Sequence, residues 1–238
     1  MFGKGGPSFF ELMQQALKST EEGYDLLAPK FDKTPFRTPP EVIETALSVV
    51  GEVDSAMDLC CGTGAALAAL VPKTRARLVG VDASQGMLDV ARARLGAAME
   101  DDSPRVELVR DDLFATSFEE AFDLVTCFGA FGHIPEEAEP RFAALVRRAL
   151  RPGGRFVFVT AERPSVLDPR AFVSRSFNAV MRVRNALVSP PFIMYYLTFM
   201  LPEAARLLRW EGFEVEILAK TFPRPFDGLR LVVATRPS

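Results

Sequence analysis

The feature that most constrains this chain is a regular alternation running from about residue 56 to residue 160. Short apolar runs at Ala56–Cys60, Ala76–Val81, Val106–Val109, Phe122–Phe128 and Arg155–Thr160 are separated by helix-like stretches at Gly64–Val71, Ser84–Ala98 and Pro135–Leu150. Strands that are apolar nearly throughout are buried on both faces. With helices between them they run parallel, so the pattern specifies a parallel sheet covered on both sides. Ser84 is a good cap for its helix, and Arg151-Pro152-Gly153-Gly154 reads as a helix stop and turn.

The flanks are less regular. Phe9–Leu27 reads as one helix with Phe10, Met13 and Leu17 on one face, and Thr34–Pro40 must be extended or turned. A helix over Glu41–Val50 enters through Pro40, where a missing N–H costs nothing. After Thr160 the alternation breaks, and Asp168-Pro169 opens a helix to about Val188. That helix carries an apolar stripe (Val173, Phe177, Val180, Leu187) and a polar one (Arg175, Asn178, Arg182, Asn185). A helix at Pro202–Trp210 and strands at Phe213–Leu218 and Leu229–Thr235 follow, the two strands close enough to pair antiparallel.

The length, 238 residues, suits one large α/β domain. A net charge of −3 gives no basic surplus to neutralise phosphates, so a nucleic-acid partner is not expected. The cysteines, Cys60, Cys61 and Cys127, form no C-x-x-C pair, and His133 is the single histidine, so no metal site is expected. Free thiols fit a reducing cytosol, hence a cytoplasmic expectation. Met1–Pro7 is Gly-rich and lacks the apolar run of a signal peptide. The most apolar stretch, near Phe192–Leu201, is far shorter than the ~20 residues of a membrane span, so no transmembrane segment is expected.

The chemistry concentrates where the first strand ends, Met57-Asp58-Leu59-Cys60-Cys61-Gly62-Thr63-Gly64, with a helix following at once. Glycines at a strand's carboxyl end let the backbone turn tightly and approach a ligand. The second strand ends at Asp82, 20 positions after Gly62, the separation at which an acid accepts from ribose hydroxyls. Alone, Gly62-x-Gly64 also describes an ordinary strand-to-helix turn. The strand, the helix and the acid together point to a nucleoside ligand. A dinucleotide site wants a small residue at position 67, and this chain has Leu67. Asp58 would repel a pyrophosphate and suits a cationic ligand such as S-adenosylmethionine.

With these residues in order, the chain from about Thr38 to Arg236, apart from Glu162–Met200, resembles a class I S-adenosylmethionine-dependent methyltransferase of the small-molecule type. Asp58–Gly64 resembles the family's first motif, with Cys60 at the usual first glycine. Gly80-Val81-Asp82-Ala83-Ser84 resembles the second-strand acid motif, with Met87 as the apolar contact after it. Val109-Arg110-Asp111-Asp112-Leu113 resembles the third-strand end, where the adenine amine is read. Register assigns that role to Asp112, and a one-position shift would give it to Asp111. Phe122–Phe128 resembles the fourth strand, whose end, Cys127 and Phe128, lines the methionine part. Leu150–Phe156, Gly212–Val215 and Leu231–Pro237 resemble the turn into strand five and the closing hairpin.

The resemblance implies a Rossmann-like seven-stranded sheet of order 3-2-1-4-5-7-6, mostly parallel with strand 7 antiparallel and helices on both faces. It implies a single domain over residues 1–238. A helical cap covers about 1–50, the core 51–161 and 202–238, and a helical insertion 162–201. The implied cofactor contacts are Asp58, Cys60, Gly62, Gly64, Asp82, Ala83, Met87, Asp112, Leu113, Cys127 and Phe128. Tyr24 and Arg37 join them from the N-terminal segment, where an arginine can pair with the cofactor carboxylate. S-adenosylmethionine would be turned into S-adenosylhomocysteine.

His133 and Tyr195 are the candidates for a catalytic role, His133 as a base or merely as a helix-entry residue before Pro135. The insertion, with aromatics including Phe172, Phe177 and Tyr196 among arginines, reads as a lid over the acceptor. A homodimer interface or a membrane-surface helix are the other readings. The expected reaction is in-line transfer of a methyl group to a small, hydrophobic or aromatic acceptor, driven mostly by positioning. The chain lacks the Asn/Asp-Pro-Pro-aromatic motif of nucleic-acid amino-methyltransferases. The rival readings are an NAD(P)-dependent oxidoreductase and a non-catalytic S-adenosylmethionine-binding protein.

Overall fold

The computed structural model of the protein describes residues 5–100, 104–165 and 167–238. Met1–Lys4, part of the glycine-rich start, lie outside the described residues. Seven strands form one sheet: β1 (Val53–Leu59), β2 (Thr74–Asp82), β3 (Arg105–Arg110), β4 (Phe122–Cys127), β5 (Leu150–Ala161), β6 (Glu214–Leu218) and β7 (Leu229–Thr235). Their order is β3-β2-β1-β4-β5-β7-β6, as expected. β1 to β5 pair in parallel, and β7 runs antiparallel to both β5 and β6. β1 and β4 are neighbours although two strands intervene in the chain. The winding reverses there, and the crevice at such a reversal is where open α/β sheets bind ligands.

Each face of the sheet has its own core. On one, α3 (Pro40–Leu47), α4 (Ala65–Leu70) and α5 (Gln85–Leu95) bury Ile43, Leu47, Leu67, Leu70 and Leu88 against Leu78 and Leu124. On the other, α6 (Glu139–Ala149) and α8 (Glu203–Trp210) bury Phe142, Val146 and Leu208 against Phe122, Phe156 and Phe158. Phe131, Phe142, Phe156, Phe158 and Phe199 form a cluster of edge-on and stacked rings in the second core.

Four departures from the sequence reading have local causes. The stretch expected as one helix over Phe9–Leu27 is two, α1 (Phe9–Ala16) and α2 (Thr20–Leu27). Ser19 breaks it by accepting from the Glu22 amide as the cap of α2. Arg151–Gly154, expected as a turn before strand five, lies within β5 as an irregularity. The partner of Phe122 is Leu150 while that of Leu124 is Arg155. The far end of the insertion belongs to the core. Phe199 is fully buried, its carbonyl accepts from Thr160 Oγ1 at 2.9 Å and its amide donates to Glu139 Oε1 at 2.6 Å.

The fourth departure concerns α7 (Pro169–Leu187), the long helix of the insertion. It lays its asparagines, not its apolar stripe, on the body. Asn178 bonds the amide and carbonyl of Tyr196, and Asn185 bonds those of Phe192. Val173, Val180 and Leu187 are exposed. The segment over 192–197 is not helical or paired as a strand, so its backbone groups need side-chain partners, and the two asparagines supply them.

The irregularity in β5 has a steric requirement. A Cβ on Gly154 would sit 2.9 Å from the Arg151 carbonyl oxygen and 3.0 Å from that of Phe122. Both are backbone atoms, which cannot swing aside. Gly154→Ala is expected to cost about 1–3 kcal/mol through overpacking. A denaturant titration reads it, and an unchanged midpoint would mean that the β4–β5 register adapts freely.

Candidate active site

A cavity of about 740 Å³ opens over the carboxyl ends of β1, β2 and β4 and is roofed by α2 and the segment that follows it. Its floor is the turn between β1 and α4. Gly62 and Gly64 have positive φ, and Gly64, in the left-handed region, begins α4. Cys60 also has positive φ (54°), a conformation glycine adopts without the steric penalty that a Cβ brings. The glycine that the resemblance implies for this position would therefore have a backbone reason.

Two buried acids sit at this turn. Asp82 accepts from the Gly62 amide through Oδ2 at 2.8 Å and from the Ser84 amide through Oδ1 at 2.9 Å. Burial raises its pKa, and the two amides oppose that. Asp58, in the floor at the end of β1, accepts from Thr126 Oγ1 at 2.7 Å. Burial, with Asp82 adding to it, pushes Asp58 up to about 7 against the pull of that hydroxyl. No cationic side chain among the described residues is paired with it. Among the described residues, seven carboxylates line the cavity (Glu21, Asp32, Glu44, Asp58, Asp82, Asp111, Asp112) against three arginines (Arg37, Arg94, Arg110). Arg94 is already paired with Asp32, and Arg110 with Glu21. The lining is thus acidic in balance, and Arg37 stands in none of the ion pairs among the described residues.

The roof is fastened by acids that sequence reasoning missed. Asp25, from α2, accepts from Ser84 Oγ at 2.6 Å and from the Gly86 amide at 2.8 Å, at the N-terminus of α5. Asp32 accepts from Thr63 Oγ1 at 2.8 Å, and its pairing with Arg94 bridges to α5. Glu21 reaches Arg110 at the end of β3. These contacts span 31 to 89 positions in sequence, so no local spacing announces them.

A third constellation joins the roof, the β4 loop and the insertion. His133 Nδ1 lies 2.6 Å from the Ile193 carbonyl oxygen, which can only accept, so Nδ1 carries a proton. Nε2 then accepts from the Tyr24 hydroxyl at 2.9 Å. Burial lowers the His133 pKa, against the Ile193 carbonyl, and raises that of Tyr24, so the imidazole is neutral and the phenol protonated at neutral pH. The Ile193 amide donates to Thr20 Oγ1 at 2.7 Å, which ties the insertion to the start of α2.

The cavity gathers Tyr24, Arg37, Asp58, Cys60, Gly62, Asp82, Ala83, Met87, Asp112, Leu113, Phe128 and His133 in its lining. Three residues singled out from the sequence stand outside it. Gly64 acts through the backbone at the helix start, and Cys127 is fully buried. Tyr195, the other catalytic candidate, receives a hydrogen bond from Asn185 on its hydroxyl and gives its amide to the Gly132 carbonyl, a packing role. Asp112 accepts from the Phe114 amide at 2.8 Å and is exposed, while Asp111 is half-buried with its amide on the Asp82 carbonyl.

Comparison with known proteins agrees with this fold. The family model of a methyltransferase domain matches residues 56–154. A ubiquinone biosynthesis O-methyltransferase from Thiobacillus denitrificans is 29% identical over 74% of this chain and 70% of its own length. A demethylmenaquinone methyltransferase from Clavibacter sepedonicus is 38% identical over 53% of this chain and 47% of its own. The chain spans about half the length of the demethylmenaquinone methyltransferases it matches. Among solved structures, a Haemonchus contortus phosphoethanolamine N-methyltransferase in complex with phosphomonomethylethanolamine and S-adenosylhomocysteine superposes with a TM-score of 0.59. It is 19% identical, over 84% of this chain and 53% of the other.

The buried Asp58 makes the ligand-free protein pH-sensitive in a defined direction. The folded carboxyl holds its proton up to about pH 7, whereas the unfolded one loses it near pH 4, so the contribution to stability is complete below pH 4 and is lost as pH rises through about 7. Asp58→Asn cannot titrate. Between pH 5 and pH 8 the wild type is expected to lose about 2–3 kcal/mol relative to that variant in chemical denaturation. Parallel pH profiles for the two would show that water reaches Asp58 freely.

Proposed function

We propose, for a chain that belongs to the class I S-adenosylmethionine-dependent methyltransferases, that this cavity binds S-adenosylmethionine and that the enzyme methylates a small hydrophobic or aromatic acceptor. One observation carries the proposal: a buried carboxylate, Asp58, without a cationic partner, in a lining where acids outnumber arginines. Such a wall repels a pyrophosphate and favours an ammonium or sulfonium. This disfavours the NAD(P) reading, as does Leu67, which is fully buried beside the turn.

The residues divide the work. Asp58 faces the cofactor's positive charge. Asp82 uses two of its lone-pair positions on Gly62 and Ser84 and has others for ribose hydroxyls. Arg37 is positioned for a carboxylate, and Leu113, Met87 and Ala83 supply apolar walls for the base. S-adenosylmethionine supplies a methyl carbon on a sulfonium, an electrophile with an excellent leaving group, so the chain need provide no covalent nucleophile. The cap, fastened through Asp25, Asp32 and Glu21, excludes water and fixes the approach. Phe31, Phe36, Ile43 and Phe128 make the rest of the cavity apolar, which suits a ring-bearing acceptor. The names of the quinone-methylating relatives point the same way.

An acceptor hydroxyl must lose its proton. Neutral His133, with Nε2 turned towards Tyr24, can take it through the Tyr24 hydroxyl, which passes one proton on as it receives another. The insertion acts in this proposal as a lid that sets this pair through Ile193.

Calorimetry with S-adenosylmethionine, S-adenosylhomocysteine and NADH tests the cofactor assignment. Asp82→Ala should weaken S-adenosylmethionine binding by about 1.5–3 kcal/mol, the scale of hydrogen bonds to a charged group. Binding of NADH alone, or unchanged affinity in Asp82→Ala, would overturn the assignment. Formation of S-adenosylhomocysteine with a catechol or hydroquinone acceptor tests turnover. Under those conditions His133→Asn and Tyr24→Phe should each lower kcat by roughly 100-fold, the lower range for general-base catalysis, with little change in cofactor affinity. Equal loss of cofactor binding would make the pair a packing element.

A further inference from the structure

Independently of what the cavity binds, α7 turns an apolar face outwards. Phe172, Val173, Val180, Val183 and Leu187 fall within an arc of about 100° on the helix. Phe172 is 72% exposed, Val180 65% and Leu187 79%. Arg175 and Arg182 border that arc on one side and Arg184 on the other. The helix holds arginines at 170, 175, 182 and 184 and no acid, in a chain whose net charge is −3. Arg184 spends its donors on neutral carbonyls, those of Ala16, Lys18 and Pro190 among them, and Arg182 lies over the Tyr195 ring, so neither is neutralised there by a carboxylate. The same Arg184 bonds draw the end of α1 alongside, where Met13 and Leu17 are also exposed.

We infer that this face docks on an anionic lipid surface. A helix with bulky apolar residues on one face and cationic edges lies in the interfacial plane, its apolar side chains among the acyl chains, the Arg182 guanidinium at the phosphates and the charge of Arg184 adding to the attraction. A second copy of the chain fits less well. In a two-fold pairing the patch meets itself, which would set the α7 arginines against one another with no acid on that helix to separate them. Its apolar side chains share one face of one helix, unlike the scattered exposed apolar residues ordinary on a soluble surface.

Co-sedimentation with vesicles tests it. The wild type should bind phosphatidylcholine vesicles containing phosphatidylglycerol, at least ten-fold better than phosphatidylcholine alone, and detach as salt is raised to about 0.5 M. Val180→Ser with Leu187→Ser should reduce the partition coefficient roughly ten-fold or more with helix content unchanged in circular dichroism. Arg182→Gln should weaken binding to anionic vesicles only. Three results would overturn the inference: no binding to either vesicle by the wild type, equal binding to both, or a lipid-free dimer that the Val180/Leu187 variant dissolves. The first and second need no variant, so misfolding cannot hide them.

Discussion

The site depends on one carboxylate whose bonds run in two directions. Asp82 stands at the end of β2 and receives the amide of Gly62 from one turn and that of Ser84 from the next. The first bond holds the glycine turn against the sheet. The second sets the start of α5, where Ser84 in turn caps Met87 and offers its hydroxyl to Asp25 of the cap. From one buried acid, therefore, the floor, the side wall and the roof of the cavity are joined in series. A carboxylate suits this place because it can accept several N–H bonds at once, and each such bond offsets some of the cost of its burial.

Asp58 is the complementary case. Its partner among the described residues is a single neutral hydroxyl, and burial leaves it poised near neutrality. Folding alone gains nothing from an acid in that position. A hydrophobic residue there would fill the floor at lower cost. The proposed sulfonium ligand would offset that unfavourable burial by supplying the missing charge. This is why the floor is more informative than the glycines around it. Glycine at positive φ is common to many turns, whereas a buried acid held by one neutral hydroxyl is a standing electrostatic cost.

The parts legible in sequence are those set by local periodicity. Apolar runs of strand length separated by helices gave the parallel sheet. The Gly62-to-Asp82 interval marked the acid at the end of β2, and the closing strands read correctly as an antiparallel pair. What was not legible is set by contacts between distant positions. Tyr24 and His133 are 109 residues apart, and their pairing exists because the cap folds across the sheet. The roof-fastening acids Asp25 and Asp32 look like surface residues in sequence. Phe199 looked like part of an insertion, yet it completes the ring cluster of a core whose other members lie on β5, α6 and the β4 loop.

The orientation of α7 shows most sharply how periodicity can mislead. A helical apolar stripe is ordinarily the buried one, because burial of such side chains is the main source of helix docking. Here a competing demand wins. The segment at 192–197 crosses above the cavity without regular structure, and its amides and carbonyls must be bonded. Asn178 and Asn185, seven positions apart and so on the same side of the helix, each bond an amide and a carbonyl of that segment. Turning the helix to bury Val180 and Leu187 would break four bonds, and the two at buried Phe192 would leave sheltered groups that cost about 1–3 kcal/mol each when unpaired. The same segment holds Ile193 over His133. The polar face of α7 is thus committed to the geometry of the site. Its apolar face is left outward as a consequence, available to a surface that the protein itself does not provide.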